Sequence, residues 1–397
     1  MSFENFDFEI AQIDLLKIFD GSETMPTTGK KYGNTAREVV YDFLYDYGVR
    51  SDGIEVIETT GFTRVKLVFC HSEGIFEFFQ NHKWEMAEKW RVKTSQKHLA
   101  PILILPADKN TIYLDFFNGT GNKPSLIKAL KSLQRQGGPG TFFSPGVDLG
   151  GNSLFLDAGK NILAGGTLGS GTASLACALI VQSVCNLSAN IPILVLIDPQ
   201  GIDLSVFEKF PNVYGQKVFC DIKETEEIFE ELFIEIRRRK KLMREASAET
   251  VAEYNQHVSR DLLLRQIVVI FNCFNRMWDC SEEKFRIKKT YEELKILIQD
   301  ACAVGISFAL FTQRELSEQF CSALEWDFWE TLFEKKIACR TSNQFFSTKL
   351  IGSKDAEYLT GNRDLLCVSE NKICHLQQYY LSMEEIEKIK NTIAKCD

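Results

Sequence analysis

The chain has 397 residues, of which 45% are hydrophobic and 25% charged, and its net charge is −8. This length is typical of two or three domains, and the composition is that of a soluble globular protein. The longest apolar run, 191–197, is far shorter than the roughly 20 residues of a membrane span, and the acidic balance argues against nucleic-acid binding over the whole surface.

Residues 1–27 are predicted to form a loosely ordered arm. The opening stretch MSFENFDFEI has neither the basic nor the apolar part of a secretion signal. The twelve cysteines form no CxxC pair, which indicates reduced, buried thiols in a cytoplasmic protein. Cys367, Cys374 and His375 come closest to a metal-ligand group, but their spacing fits no zinc pattern. The sequence therefore predicts no metal site.

A small α+β domain is predicted over residues 28–133. AREVVYDFLYDY carries apolar residues at helical spacing, with Asn34 or Thr35 as its N-cap. Strand-like stretches follow as GIEVIETT, RVKLVF and ILILP, and the helix SLIKALKSL ends the domain. The Gly- and Pro-rich segment 134–151 is predicted to be a linker.

Residues 152–397 show a different pattern, in which apolar strands alternate with long helices. The strand runs include NILAGG, IPILVLID, KVFCD, RQIVVIF and ISFALFTQ. Such strands are typical of a parallel sheet with both faces buried, so this region is predicted to be an α/β domain. On the helix TEEIFEELFIEIRRRKKLMREA, the basic run 237–241 is interpreted as a solvated helix end that complements the helix dipole, with partner contact as the alternative.

A glycine-rich turn follows the strand NILAGG and carries the pattern of a phosphate-binding loop. That pattern is glycine, four residues, glycine, lysine, then serine or threonine. The loop matches it in register but lacks the lysine and the hydroxyl, because Thr172 and Ala173 stand at those positions. The candidate nucleotide site consists of the loop residues Gly166, Thr167, Leu168, Gly169, Ser170, Gly171, Thr172 and Ala173.

The motifs after the loop follow the order of a known family of motors. They are LIDPQGIDL, RQIVVIFNCF, ISFALFTQR, RTSNQFFSTKLIGSKDAEYLTGNRDLLCV and HLQQYYLSMEEIEKI. Together they resemble the motor domain of the FtsK/SpoIIIE family of ring-shaped DNA translocases, and residues 28–70 are similar to the small domain before that motor. The resemblance implies a RecA-like P-loop NTPase fold, ATP hydrolysis, a ring of subunits and double-stranded DNA as a partner. No winged-helix γ domain and no membrane domain are expected.

Several positions depart from the motifs of the family. The acidic pair expected after RQIVVIF falls on Asn272 and Cys273, and an arginine expected before ISFALF falls on Cys302. An aspartate of the family falls on Phe346. Positions that still match are Asp198, Pro199, Gln313, Arg314, Arg340, Glu357, Gly361 and Asp364. The resemblance adds Gln313 to the candidate nucleotide site.

These departures remove most of what phosphoryl transfer requires. In such motors a lysine faces the phosphates, a hydroxyl and an aspartate hold Mg²⁺, and a glutamate polarises the attacking water. Each loss lowers the rate by about a hundred- to a thousandfold. No catalytic residue is therefore expected to be intact. The glycine-rich backbone can still present N–H groups to an anion, which leaves weak ATP or phosphate binding open without any required cofactor.

Three functions are consistent with these observations. The favoured one is an inactive FtsK/SpoIIIE-like pseudo-ATPase, acting as a subunit or binding platform in DNA translocation or chromosome segregation within a homo- or hetero-oligomeric ring. The second is an active ATP-dependent translocase of double-stranded DNA with atypical catalytic residues. The third is a partner-recognition protein of a secretion or conjugation machine.

Overall fold

The structure is a computed structural model. It describes residues 2–6, 32–58, 61–70, 73–96, 99–100, 102–118, 124–136, 142–185, 191–259, 262–277, 284–313, 316–361, 363–369 and 372–393. Most of the predicted arm lies outside these ranges. Its first residues depart from the expectation of loose order, because Phe3–Asn5 is a 3-10 turn and Phe3 is buried in the main core.

The small domain is a four-stranded antiparallel sheet covered by two helices. The strands lie in the order β1-β2-β4-β3, and three of them are the predicted apolar stretches. The fourth strand and the second helix were not predicted. The elements are α1 (Gly33–Asp46), β1 (Gly53–Glu58), β2 (Phe62–Val68), α2 (Ile75–Thr94), β3 (Leu103–Asp108) and β4 (Thr111–Phe117).

The helix α3 (Leu126–Gln136) was expected to end the small domain, and this expectation is wrong. Its apolar residues Leu126, Ile127 and Leu130 lie in a core cluster of the large domain. The backbone N–H of Leu126 also donates to the carbonyl of Tyr380, near the end of the chain, at 3.0 Å. An apolar helix face can be seen in a sequence, but the surface against which it packs cannot.

The segment 134–151 is also not a simple linker. Within it, β5 (Phe142–Phe143) pairs with β7 (Leu156–Asp157), and β6 (Gly146–Asp148) forms an edge of the large sheet. Strand packing requires glycine at position 146, because a Cβ atom there would lie 2.1 Å from the carbonyl oxygen of Gln377. The small residue therefore permits strand pairing.

The large domain is built on a nine-stranded sheet in the order β10-β9-β11-β12-β8-β13-β14-β15-β6. The first six of these strands are parallel to one another and the last three are antiparallel. Every residue of β8, β9, β11 and β12 is buried, which confirms the predicted parallel sheet with two covered faces. The remaining strands are β8 (Ile162–Gly165), β9 (Ile193–Ile197), β10 (Val213–Phe219), β11 (Ile267–Phe271), β12 (Ile306–Thr312), β13 (Lys335–Ala338), β14 (Asp364–Ser369) and β15 (Lys372–Gln378).

Helices cover both faces of this sheet. Two separate core clusters, one on each side, contain the apolar residues of the sheet and of these helices. Among the described residues, no helix combines the length and the apolarity needed to cross a membrane. The helices are α4 (Thr172–Val184), α5 (Ile222–Glu245), α6 (Val251–His257), α7 (Lys284–Ala301), α8 (Glu318–Ala323), α9 (Trp326–Trp329), α10 (Gln344–Ile351) and α11 (Met383–Ile393).

The basic run 237–241 at the end of α5 is only partly solvated, which corrects the interpretation of the sequence. Arg239 is 2% exposed and donates to Glu235 at 2.6 Å and to the carbonyl of Val304 at 3.0 Å. Arg238 pairs with the same carboxylate at 2.7 Å. Arg239 thus anchors α5 to the turn before β12, while Arg237, Lys240 and Lys241 are exposed and Arg238 is half-buried.

A buried charged group joins the two domains. In the small domain, the guanidinium of Arg64 lies 2.6 Å from the carboxylate of Asp115, which also accepts a hydrogen bond from Nδ1 of His375 in β15 at 2.8 Å. Burial raises the pKa of Asp115, but Arg64 outweighs it and brings this pKa down to about 2. Burial lowers the pKa of His375, but Asp115 and Asp364 more than compensate, so the pKa of this imidazole is raised.

The buried histidine predicts a pH dependence of stability. The pKa of His375 lies above its ordinary value of 6.5, so the protonated ring stabilises the fold fully below that pH. The stabilisation is lost as the pH rises through the folded pKa. The difference in Tm between the wild type and His375→Gln should therefore shrink as the pH is raised above about 6.5 in circular-dichroism melts. A difference that does not change with pH would contradict this assignment.

Candidate functional site

The candidate site lies at the carboxyl end of the parallel strands. The glycine-rich loop follows β8, Asp198 follows β9, Asn272 follows β11 and Gln313 follows β12. These strands are parallel, and β12 lies between β8 and β11. Since the carboxyl ends of parallel strands meet at one edge, the fold brings together residues that are far apart in the sequence, as in other open α/β sheets.

The loop is held to its neighbours by backbone hydrogen bonds. The N–H of Gly166 donates to the carbonyl of Thr312 at 3.1 Å, and the N–H of Thr167 donates to the carbonyl of Arg340 at 2.8 Å. A Cβ atom on Gly166 would lie 2.4 Å from Oγ of Ser170, so the turn requires glycine there. The tip residue Leu168 is 82% exposed. The loop therefore retains a tight phosphate-loop form with an apolar tip.

Helix α4 begins at the two positions where the loop pattern fails. Thr172 is its first residue and is buried, and no side chain caps the N-terminus. The N-terminus of the helix therefore directs backbone N–H groups at the loop. The lysine that the phosphate-loop pattern would place beside them is replaced by Thr172. The nearest lysine in the preceding sequence is Lys160, which lies before β8. It pairs with Glu334 at 3.1 Å and supplies no charge to the loop.

Gln378, at the end of β15, reaches the loop from the other side. Its Nε2 donates to the carbonyl of Gly171 at 3.0 Å, and its Oε1 would lie 2.4 Å from a Cβ atom on that glycine. Gly171 itself has φ +113°, a left-handed conformation that favours glycine. The contact fixes the loop against the antiparallel part of the sheet. The sequence carried no signal for this contact, because Gln378 is distant in the chain.

Asp198 is fully buried and its carboxylate is satisfied by the turn that follows β9. Oδ2 accepts N–H groups from Ile202, Asp203 and Leu204 at 3.2, 3.0 and 3.3 Å. Oδ1 accepts the N–H of Gln200 at 3.2 Å. This position, which matches the family, therefore holds the shape of the LIDPQGID turn.

Asn272 joins two carboxylates where the family has an aspartate. Its Nδ2 lies 3.3 Å from Oδ1 of Asp198 and 3.0 Å from Oδ2 of Asp203. Gln313 donates to the same oxygen of Asp203 at 2.7 Å. Two amide side chains thus donate hydrogen bonds to the carboxylates, whose negative charge a bound cation would otherwise offset. Asp203 was missed in the sequence, although it lies within the quoted LIDPQGIDL motif.

This donor set does not fit Mg²⁺. Hard divalent cations take several oxygen ligands, but the Asp198 oxygens already accept N–H groups, and Ala173 offers no hydroxyl. The amide nitrogen of Asn272, rather than its oxygen, faces the two carboxylates. Within the described residues there is no group of three or more His, Cys, Asp or Glu side chains that could hold a metal ion.

Cys273 stands at the position to which the resemblance assigns the glutamate of the acidic pair. The residue has φ +49° and is buried. Burial, together with the charges of Asp198 and Asp203, raises the pKa of its thiol to about 12. A neutral thiol at physiological pH does not act as a general base, so the residue offers no substitute for a glutamate.

The remaining candidate positions are not brought to the loop. Cys302 precedes β12 and its thiol faces the carbonyl of Gly159 at 3.9 Å, at the opposite end of the strands. Phe346 is fully buried in the core on α10. Arg314 lies outside the described residues. The structure therefore places the loop, Asn272, Cys273 and Gln313 at the same edge of the sheet, and Cys302 at the opposite end of the strands.

The chain is similar in sequence to a known protein family. Residues 136–325 match the model of the FtsK/SpoIIIE family. The chain carries an FtsK/SpoIIIE-family domain. The DNA translocase FtsK of Caldanaerobacter subterraneus subsp. tengcongensis is 24% identical over 250 residues, covering 62% of this chain and 34% of that protein. The DNA translocase SftA of Bacillus subtilis is 23% identical over 360 residues, covering 87% and 35%. The chain spans about a third of the length of these curated relatives.

Solved structures share the fold of this family domain. The pCW3 conjugation coupling protein TcpA, in its monomer form with ATPγS, matches with a TM-score of 0.59 at 16% identity, covering 92% of this chain and 99% of that chain. The cytoplasmic domain of the Thermomonospora curvata type VII secretion ATPase EccC matches with a TM-score of 0.51 at 16% identity, covering 63% and 30%. These similarities confirm the predicted α/β fold of RecA-like P-loop type.

The amide bridge predicts a specific response to Asn272→Asp. This change removes the donor between Asp198 and Asp203 and adds a third carboxylate, so it should lower the free energy of unfolding by about 1–3 kcal/mol in EDTA. Millimolar Mg²⁺ or Mn²⁺ should recover part of the loss, because clustered carboxylates bind hard cations. Urea unfolding measures both effects.

Asn272→Leu is the matched control. It also removes the donor but adds no charge, so its stability should not respond to the metal ions. An Asn272→Asp protein as stable as the wild type in EDTA would show that the amide does not offset the two carboxylates.

Proposed function

We propose that the chain is a pseudo-ATPase of the FtsK/SpoIIIE family. It acts as a non-hydrolysing subunit or binding platform in an assembly that moves DNA. The proposal rests mainly on the closed hydrogen-bond group of Asp198, Asn272, Asp203 and Gln313, in which the amide of Asn272 stands where the family motif has an aspartate. Hydrolysis needs a cation and an oriented water at this edge of the sheet, and the described residues there supply neither.

The loop side of the site supports the same proposal. Thr172 and Ala173 stand where a phosphate-binding lysine and a metal-binding hydroxyl would be, and Cys273 carries a neutral thiol. Several independent contributions to transition-state stabilisation are therefore missing together. Each is worth about 2.7–4 kcal/mol when it is well placed, so the residual rate should be negligible even though such losses are not fully additive.

Double-stranded DNA and a ring of like subunits are proposed as partners. The support is the family domain itself and the name DNA translocase, which the FtsK and SftA relatives carry. A subunit without hydrolysis can still contribute surface to such an assembly, because the fold does not need the catalytic residues.

The proposed function predicts no ATP turnover. The purified wild type should release phosphate from ATP no faster than a control without protein, with and without long duplex DNA. A variant with Thr172→Lys, Ala173→Ser, Asn272→Asp and Cys273→Glu should gain turnover, whereas Thr172→Lys alone should not, because the metal ligands and the base are still missing. A coupled phosphate-release assay makes the comparison.

DNA-stimulated turnover by the wild type, in the range of about 1–10³ s⁻¹ that is typical of enzymes, would contradict the proposal. It would favour an active double-stranded DNA translocase with atypical catalytic residues.

The uncapped start of α4 predicts a weak affinity for phosphate groups. Backbone N–H groups at a helix N-terminus attract anions, so ADP should bind with a Kd of about 1 mM. The affinity should not depend on Mg²⁺, because the site lacks ligands for that ion. Ala173→Asp should abolish binding by charge repulsion, and Ala173→Asn should preserve it. Isothermal titration measures these affinities, and a strict requirement for Mg²⁺ would contradict the prediction.

A further inference from the structure

The first described residues of the chain pack on the edge of the large sheet. The ring of Phe3 stacks on that of Tyr214 in β10, with centroids 4.0 Å apart and planes inclined by 17°. Phe3 is 6% exposed, and it belongs to the core cluster on this side of the sheet. Phe6 meets the same tyrosine edge-on at 5.2 Å. The two phenylalanines, three positions apart, therefore both pack against the ring of Tyr214.

The contact also has a charged part. Glu4, between the two phenylalanines, is close enough to Arg238 on α5 to raise the pKa of that guanidinium, after the larger effects of Glu235 and burial. The sequence near this segment is acidic, with Asp7 and Glu9 following. The end of α5 carries the basic run 237–241. The attraction between Glu4 and Arg238 thus adds a charged contact to the aromatic packing of the segment on Tyr214.

The receiving surface is held in place without help from the segment. The hydroxyl of Tyr214 is hydrogen-bonded to Glu231 of α5, and Arg238 is fixed by Glu235 at 2.7 Å. β10 is the first strand of the sheet and pairs only with β9 among the described strands, with a register shift between Val213 and Val218. It is therefore an edge strand, of the kind to which other chain segments add in proteins.

The covalent connection to this segment is long. Residues 7–31 separate it from the first helix of the small domain, and 25 residues can span at most about 80–90 Å. The same contacts can therefore be made by the segment of a neighbouring molecule, as in other exchanges of identical elements between copies.

We propose that the surface formed by Tyr214, Glu231 and Arg238 is a docking site for a Phe-Glu-x-Phe segment, and that the segment of a second copy of this chain occupies it in an assembly. This inference goes beyond the proposed function, because it requires neither nucleotide nor DNA. It also gives a role to Arg238, the half-buried arginine in the basic run of α5.

Two full-length variants test the exchange. Phe3→Ala/Phe6→Ala has an open docking site and no docking segment, and Tyr214→Ser has a free segment and a damaged site. Sedimentation velocity at about 100 µM of each chain, chosen to detect affinities near that concentration, should show a complex of the two chains in the mixture. Neither variant alone should reach the same mean mass. A mixture that sediments as the two separate samples do would overturn the second copy as the occupant.

A labelled peptide of residues 1–10 tests the docking site by itself. It should bind the full-length Phe3→Ala/Phe6→Ala protein, and binding should weaken at least about tenfold when Arg238→Glu is added or when both peptide phenylalanines are alanine. Phe6→Ala alone serves as the acceptor if circular dichroism shows that the double variant is unfolded. Absence of peptide binding would overturn the docking site. Because no step involves ATP, these outcomes are independent of the hydrolysis assay.

Discussion

Two carboxylates lie side by side at the carboxyl end of a buried parallel sheet, and the site depends on how they are satisfied. A buried charge without a partner is strongly destabilising. In this chain Asp198 is satisfied by the N–H groups of the turn after β9, and Asp203 by the amides of Asn272 and Gln313. The ends of three neighbouring strands are thereby tied together by hydrogen bonds alone. A site whose carboxylates are satisfied without a cation supports the proposal of a subunit that does not hydrolyse ATP.

Two positions that match the family motifs, Arg340 and Asp364, make structural contacts in this chain. The carbonyl of Arg340 accepts the N–H and the hydroxyl of Thr167, which holds the loop. Asp364 accepts the N–H groups of Thr360 and Gly361, and it faces His375 at 3.9 Å. The carbonyl of Arg340 thus helps to close the loop, and Asp364 contributes to the buried charged group between the two domains.

The fold extends beyond the part matched by the family model. β13 begins after residue 325 and pairs directly with β8, the strand that carries the loop. β14 and β15 continue the sheet from there, and Gln378 at the end of β15 reaches back to Gly171. The loop is thus held between a strand inside the matched region and a strand outside it.

Much of the fold and of the site could be predicted from the sequence. Buried parallel strands are short, uninterrupted apolar runs, so β8, β9, β11 and β12 were visible in the chain, and the glycine spacing identified the loop. The missing lysine and hydroxyl could be read directly at Thr172 and Ala173, because those motif positions are local. The resemblance to one family placed Asn272, Cys273 and Gln313 near that loop before any geometry was known.

Only the tertiary structure decided the partners of these residues. Asp203, Gln378 and the burial of Arg239 depend on contacts between segments far apart in the chain, and a sequence gives no distance between them. The helix α3 shows the same limit, because its periodicity predicts an apolar face but not which domain covers it. Local patterns follow from the conformational preferences of neighbouring residues, whereas the satisfaction of a buried carboxylate or an apolar face depends on what the whole fold brings next to it.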